Sequence, residues 1–203
     1  LMFGIPDFFV PRDLRSLMSR PRAAVPGVYD TAPLKRTLMR LVDFGRINAG
    51  HMRFAVGAVE VNTGNSVYFD NVRHKIRPEH VMASGALPPG FPGVEIEGVQ
   101  YWDGGVVSNT PLQYLLDSHA RDERLLAFQV DLFSARGETP QSLPKVMERR
   151  KDINYSTRTR MNTDALAANL NLQQSIRALI KMLPLSLRRD PEVLRRVREV
   201  FEA

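Results

Sequence analysis

The run Phe54-Ala-Val-Gly-Ala-Val-Glu-Val61 narrows the fold more than any other stretch of this chain. It is apolar almost without a break, as expected of a central strand buried on both faces. Asn62-Thr63-Gly64-Asn65 comes next with turn-forming residues, and Ser66-Val-Tyr-Phe-Asp70 returns as a second strand. Together they predict a β-hairpin.

The rest of the chain is read around that hairpin. Residues 30–43 predict a helix: Asp30 or Thr31 caps it, Pro33 stands in its first turn, and Leu34, Leu38, Leu41 and Val42 form one apolar stripe. Arg77–Ser84 predicts a short helix opened by Pro78, running into the rigid loop Gly85-Ala-Leu-Pro-Pro-Gly-Phe-Pro92. Val94–Trp102 reads as a strand pair bent at Gly98, Pro111–Ser118 as a helix, and Leu125–Phe133 as another buried strand. Strands and helices alternate with some antiparallel pairing, which predicts an α/β class with a mixed sheet. Residues 1–29 are rich in Pro, Phe and Arg and predict an irregular segment with a short helix over Asp13–Ser19. Their apolar groups either pack on a neighbouring core or line an entrance.

From Ser134 to Pro144 the chain is polar, and beyond it the pattern is helical to the end, with breaks at Pro184 and Asp190-Pro191. The division expected is 1–133, a hinge at 134–144, and a basic helical region at 145–203. Charge supports it. The net +6 lies wholly beyond residue 139, because residues 1–139 hold 15 basic and 15 acidic side chains. An anionic partner for the tail is expected from that asymmetry. The plain reading is a solvated cationic face on an ordinary helix pair; an anionic membrane is the next that fits, with basic heads on one side and Leu and Phe on the other. Nucleic acid does not fit: no groove-reading motif or aromatic interleaving accompanies the arginines. The chain has no cysteine, which excludes disulfides, thiolate nucleophiles and Cys-ligated metals.

The chemistry concentrates at Tyr101-Trp-Asp-Gly-Gly-Val-Val-Ser-Asn-Thr-Pro111. Gly104 and Gly105 permit backbone approaches that a Cβ would block. Asn109 or Thr110 can cap the helix that Pro111 opens. The Asp103 carboxylate is then expected at the carboxyl end of a strand, where open α/β sheets place their sites. Other polar candidates are weaker. His51, His74, His80 and His119 are scattered. His80, Ser84 and Asp103 could imitate a catalytic triad, but an i, i+4 pair on a helix is normally a surface pair. Asp70, His74 and His80 have no metal-ligand spacing. Trp102 reads as a packing residue.

Three pieces in order, Val81-Met-Ala-Ser-Gly-Ala-Leu-Pro-Pro-Gly-Phe-Pro92, the hairpin ending Tyr101-Trp102, and Asp103-Gly104-Gly105 with Asn109-Thr-Pro111, resemble the second half of the patatin-like phospholipases. The likeness is greatest to bacterial members with an extra helical carboxyl-terminal region. It implies a patatin-like mixed sheet flanked by helices, plus that helical extension. It also implies a serine acyl hydrolase acting on lipid or other acyl esters through a Ser–Asp dyad, with Asp103 as the base, no histidine and no cofactor. The family's Gly-x-Ser-x-Gly elbow and glycine-rich oxyanion loop have no counterpart here. The expectation is therefore a carboxyl-terminal portion without the first strands, inactive alone and prone to self-association through an exposed sheet edge. The alternative is a non-catalytic membrane- or protein-binding module derived from that fold. The expected location is the cytoplasm, with peripheral contact at the membrane as the variant that the basic tail would allow.

Overall fold

The computed structural model describes residues 3–13, 25–108, 111–118 and 125–202, with backbone alone from 198. The chain forms two compact units, Leu1–Pro111 and Leu112–Ala203. The helix expected over Asp13–Ser19 lies outside the described residues apart from Asp13.

The first unit is built on the predicted hairpin. Strand β3 (Ala55–Glu60) pairs antiparallel with β4 (Ser66–Asp70), with Gly64 at φ +72° in the turn. Strands β5 (Val94–Ile96) and β6 (Val99–Asp103) form the second hairpin, bent at Gly98 with φ +81°. β6 pairs with β3, so the sheet runs β4-β3-β6-β5 and β3 is interior, as its composition demanded. A two-stranded ribbon of β1 (Val10–Pro11) and β2 (Tyr29–Asp30) stands apart.

Register decides which face is the core. Val56 is opposite Phe69, and Ala58 is opposite both Val67 and Asp103. This face packs under α3 (Pro78–Ser84), burying Ala58, Phe69, Ile76, Ala83 and Ile96 in one cluster. Helices α1 (Ala32–Leu41) and α2 (Phe44–Asn48) precede the sheet, and Phe44 and Ile47 pack on the same cluster. Asp30 is the residue that caps α1: its Oδ1 accepts the Ala32 N–H at 2.9 Å, while Thr31 makes no side-chain cap. Of the expected stripe, Leu41 is exposed. In residues 1–29, Phe8 and Phe9 pack edge-on to Phe91 and Phe9 also meets Tyr29, so these rings join a core.

The second unit begins with α4 (Leu112–Asp117), followed later by α5 (Leu143–Met182), α6 (Leu185–Arg188) and α7 (Pro191–Glu202). α5 has 40 residues, about 60 Å of helix at 1.5 Å per residue. Pro144 sits in its first turn, where a missing N–H costs nothing, and it ends just before Pro184, which cannot continue it. Asp190 opens α7, its Oδ1 accepting the N–H groups of Glu192 and Val193 at 2.8 and 3.2 Å.

One sequence expectation is overturned. Leu125–Phe133 forms no strand and pairs with no strand among the described residues. Leu126, Phe128, Val130 and Leu132 are exposed to solvent. An apolar run becomes a strand only where a neighbouring strand completes its hydrogen bonds. Here the run leads into the polar Ser134–Pro144 rather than into a returning partner.

Candidate functional site

Asp103 closes β6 opposite Ala58, a fully buried residue whose small side chain leaves room for the carboxylate. Its N–H donates to the Ala86 carbonyl at 3.1 Å, tying the strand end to the loop after α3. The chain then turns sharply through a single 3-10 turn, Gly104–Val106. Asp103 Oδ1 accepts the Gly105 N–H at 2.8 Å, which fixes the carboxylate over that turn. Burial raises the Asp103 pKa above its ordinary value of 3.8, and the Gly105 hydrogen bond opposes the rise.

The two glycines do different things. A Cβ on Gly104 would stand 2.7 Å from the Gly57 carbonyl oxygen and 2.8 Å from its carbon, so the turn lies directly on the β3 backbone. Neither atom can move aside without moving the strand. Gly105 contributes its N–H. Gly57 itself is part of the fit, because its cross-strand partner Tyr68 lays its ring across the position that a side chain would occupy.

A cavity of about 350 Å³ opens beside this turn. Gly57, Tyr68, Ser84, Asp103, Gly105 and Ser108 are on its wall. The Tyr68 hydroxyl has its pKa raised by burial and stays a neutral donor. Ser84 and Asp103 thus meet in one cavity, but His80 is not on its wall. His80 is 3% exposed, its Nδ1 accepts the Arg77 N–H at 2.9 Å, and its ring lies 4.6 Å from that of Phe69. Burial, with Arg77 and His74 adding to it, lowers its pKa, so the ring is neutral and structural. No His80–Ser84–Asp103 triad assembles.

The remaining candidates resolve likewise. Asp70 is fully buried, with Oδ2 on Arg53 Nη2 at 2.7 Å and Oδ1 accepting from Val72 and Arg73 N–H. His74 Nδ1 faces the Asp70 N–H at 3.4 Å. This cluster caps the chain after β4. No group of three or more His, Asp or Glu side chains among the described residues could hold a metal. Trp102 is half-buried in β6, and its indole N–H is buried without an acceptor among the described residues. His119, Asn109 and Thr110 lie outside the described residues, so the expected cap of the next helix does too.

Sequence reasoning missed Tyr68, Asn48 and Asn71. Asn48 accepts the Ile76 N–H and donates to the Ile76 and Phe44 carbonyls; Asn71 accepts the Phe54 N–H and donates to the Ile47 and Met52 carbonyls. These side chains tie the loops around β3, and nothing in the spacing of asparagines marks that. For Tyr68 a signal existed: a large aromatic in a strand register that faces a strand glycine.

An acid at a strand end, a turn whose glycine lies against a neighbouring strand, and a cavity between them form an arrangement that a sequence family can be asked to match. The sequence pattern described as patatin-like phospholipase matches residues 7–116, which spans the site and more than half of the chain. The chain belongs to the patatin-like phospholipase family. A second pattern, described as patatin phospholipase, matches residues 153–200, within α5 to α7. No curated protein matches the chain. The α/β organisation, antiparallel sheets flanked by helices with a long carboxyl-terminal helix, agrees with a patatin-like fold. Membership of this family supports lipid ester hydrolysis at the level of the family's general activity. No helix among the described residues is long and apolar enough to cross a membrane.

Proposed function

We propose that Asp103 is the base of a Ser–Asp dyad that hydrolyses lipid acyl esters, and that the serine it serves is not in this chain. What supports the reading is the Asp103 carboxylate itself. It is held at one oxygen by Gly105, raised in pKa by burial, and set in the wall of a cavity.

A serine hydroxyl attacks an ester carbonyl only as a base takes its proton. An ordinary aspartate is a weak base at neutral pH; one raised by burial is stronger. Oδ1 is occupied by Gly105, while Oδ2 has no hydrogen bond among the described residues and is the oxygen able to receive the serine proton. The proton then passes from Asp103 to the leaving alkoxide, and an acyl-serine ester remains. In the second half a water gives its proton to Asp103, attacks the acyl carbonyl, and releases the fatty acid and the serine. Each half thus uses Asp103 first as base and then as acid. Gly104 keeps the carboxylate close to β3, and Tyr68 forms part of the cavity wall.

The chain alone should turn over no p-nitrophenyl ester. Turnover by these 203 residues, abolished by Asp103→Asn, would place the nucleophile inside the chain, with Ser84 the first residue to replace. Joined to a segment carrying a Gly-x-Ser-x-Gly turn, the chain should hydrolyse such esters, and Asp103→Asn should lower kcat by about 10²–10⁴. The acid limb of the pH profile should lie above the ordinary aspartate range, because Asp103 must be ionised to act and burial raises its pKa. Unchanged turnover in the Asn variant refutes the role of base.

A further inference from the structure

Helix α3 starts on a histidine and ends on the acid of the site. At its start Arg77 and His80 exchange two hydrogen bonds. The His80 N–H donates to the Arg77 carbonyl at 3.1 Å, and the Arg77 N–H donates to His80 Nδ1 at 2.9 Å. The side chain that accepts in such a capping box is ordinarily Glu or Gln, which accepts throughout the neutral range. A histidine accepts only while neutral, because both ring nitrogens of the imidazolium are donors. α3 has seven residues, too few to persist without its caps and contacts. At its far end Gly85 N–H donates to the Met82 carbonyl and Ala86 N–H to the Ala83 carbonyl, at 3.1 and 3.2 Å. The Ala86 carbonyl then receives the Asp103 N–H at 3.1 Å. Ser84 of α3 also stands on the cavity wall. The strand end that carries Asp103 is thus tied to α3, and the start of α3 is tied to an uncharged ring.

A charge on that ring meets little compensation. His80 is 3% exposed and packs on Phe69, whose ring also meets His74 and Tyr101. The cations near it, Arg77 and His74, oppose a further positive charge. The acids near it are Glu79 and Glu97, and each already faces another cation. Glu79 Oε1 lies 2.7 Å from Lys35 Nζ of α1, and Glu97 Oε1 lies 3.3 Å from Arg77 Nη2. Asp70, at the end of β4, pairs with Arg53. Protonation would therefore remove an acceptor from the helix start and leave a poorly matched charge in the core.

We propose that His80 is an acid-released clamp on the site: a proton taken up at Nδ1 breaks the hold on the Arg77 N–H, frees α3, and loosens the carbonyl that anchors Asp103. The direction in pH follows from burial. Desolvation, with Arg77 and His74 adding to it, lowers the His80 pKa in the folded chain below the ordinary 6.5. Above 6.5 the ring is neutral in open and closed states alike, and the clamp contributes in full. As pH falls below that value the open state takes the proton and the closed one does not, so opening gains up to about tenfold for each pH unit. The bearing on hydrolysis rests on the reading of Asp103 as base. The test reads amide exchange and ring titration rather than turnover, so either can fail alone.

The test compares the full chain with His80→Gln, which keeps an acceptor for the Arg77 N–H and does not titrate. Hydrogen exchange corrected for intrinsic rates should show the Asp103 and Ala86 amides of the parent losing protection as pH falls from about 7 to about 5, by up to about tenfold per unit. In His80→Gln the dependence should be shallower by that same factor. In the parent, imidazole nitrogen shifts should show His80 protonated on Nε2 alone at neutral pH, and titrating below 6.5 over the range in which Asp103 loses protection. Equal pH dependence in parent and variant overturns the proposal. So does a His80 ring that titrates at or above 6.5, or one that titrates while the Asp103 amide keeps its protection. If His80→Gln does not fold, the ring titration and the Asp103 exchange of the parent decide the matter by themselves.

Discussion

Two runs in this molecule are apolar almost throughout and have opposite fates. Phe54–Val61 becomes the interior strand of a four-stranded sheet, with Ala58 and Val59 buried. Among the described residues Leu125–Phe133 joins no sheet, and its large side chains are exposed. The difference lies in the segment that comes after each run. After Val61 the chain turns within four residues and returns as β4, so hydrogen bonds are completed locally. After Phe133 it goes into a polar stretch and a helix of 40 residues, which offers side chains but no backbone edge. An apolar pattern states what a segment needs; the neighbour decides whether it is supplied.

The strongest way to break the first half of this comparison is to unpair what caps the hairpin. Asp70 ends β4 with zero exposure and is matched by Arg53 and two backbone N–H groups. Removing one partner of a buried pair leaves an uncompensated charge. Arg53→Met should cost about 3 kcal/mol in urea unfolding, read through Trp102, the chain's single tryptophan, which lies in β6. Adding Asp70→Asn should recover part of that loss, since asparagine keeps an acceptor for Val72 and Arg73. If the double variant is as unstable as the single one, the charge is not what Arg53 compensates.

A smaller and more direct contrast sets one valine from each run side by side. Val59 is 3% exposed and Val130 76%. Val59→Ala should lose about 2 kcal/mol of the first unit's stability. Val130→Ala should change the helical unfolding of the second unit by less than about 0.5 kcal/mol. Similar losses at both positions would mean that Leu125–Phe133 is packed in solution, and the contrast between the runs would fall.

Much of the first unit was legible because its decisive signals are local. The Asn62–Asn65 turn, Gly98, and Pro78 at a helix start each constrain a few neighbouring residues, and β3 to β6 and α3 form where those signals fall. Asp103 was legible as a strand-end acid for the same reason. The contacts that make it a site were not. Gly104 lies on Gly57, 47 positions earlier in the chain. The Tyr68 ring lies over that same Gly57 because of register, and Ala86 receives the Asp103 N–H through a loop. None of these can be had from spacing, because each depends on how two hairpins align. The helix α2 was missed since Phe44-Gly-Arg-Ile-Asn48 is too short to show a period, and only the Asp43 cap, bonded to Arg46 N–H, marks its start.

The smallest expected effect concerns the site acid in the chain by itself, apart from any catalysis. Burial raises the pKa of Asp103 in the folded state above its unfolded value, so the folded protein binds this proton more tightly than the unfolded one. The sign is then fixed. Below the ordinary aspartate value both states hold the proton, and Asp103 costs nothing. As pH rises through the raised folded value, the fold must accept a partly desolvated charge, and stability is lost. Above it the whole penalty is present. Asp103→Asn removes the charge and retains an oxygen to accept the Gly105 N–H at the same place. The variant should therefore be slightly more stable than the parent at neutral pH, and the gain should vanish on acidification below the ordinary aspartate range. Urea midpoints followed at Trp102 across that pH range test it. A variant that is less stable at neutral pH, or whose difference from the parent does not move with pH, would show that the Gly105 hydrogen bond outweighs burial and that Asp103 is no stronger a base than an aspartate in water.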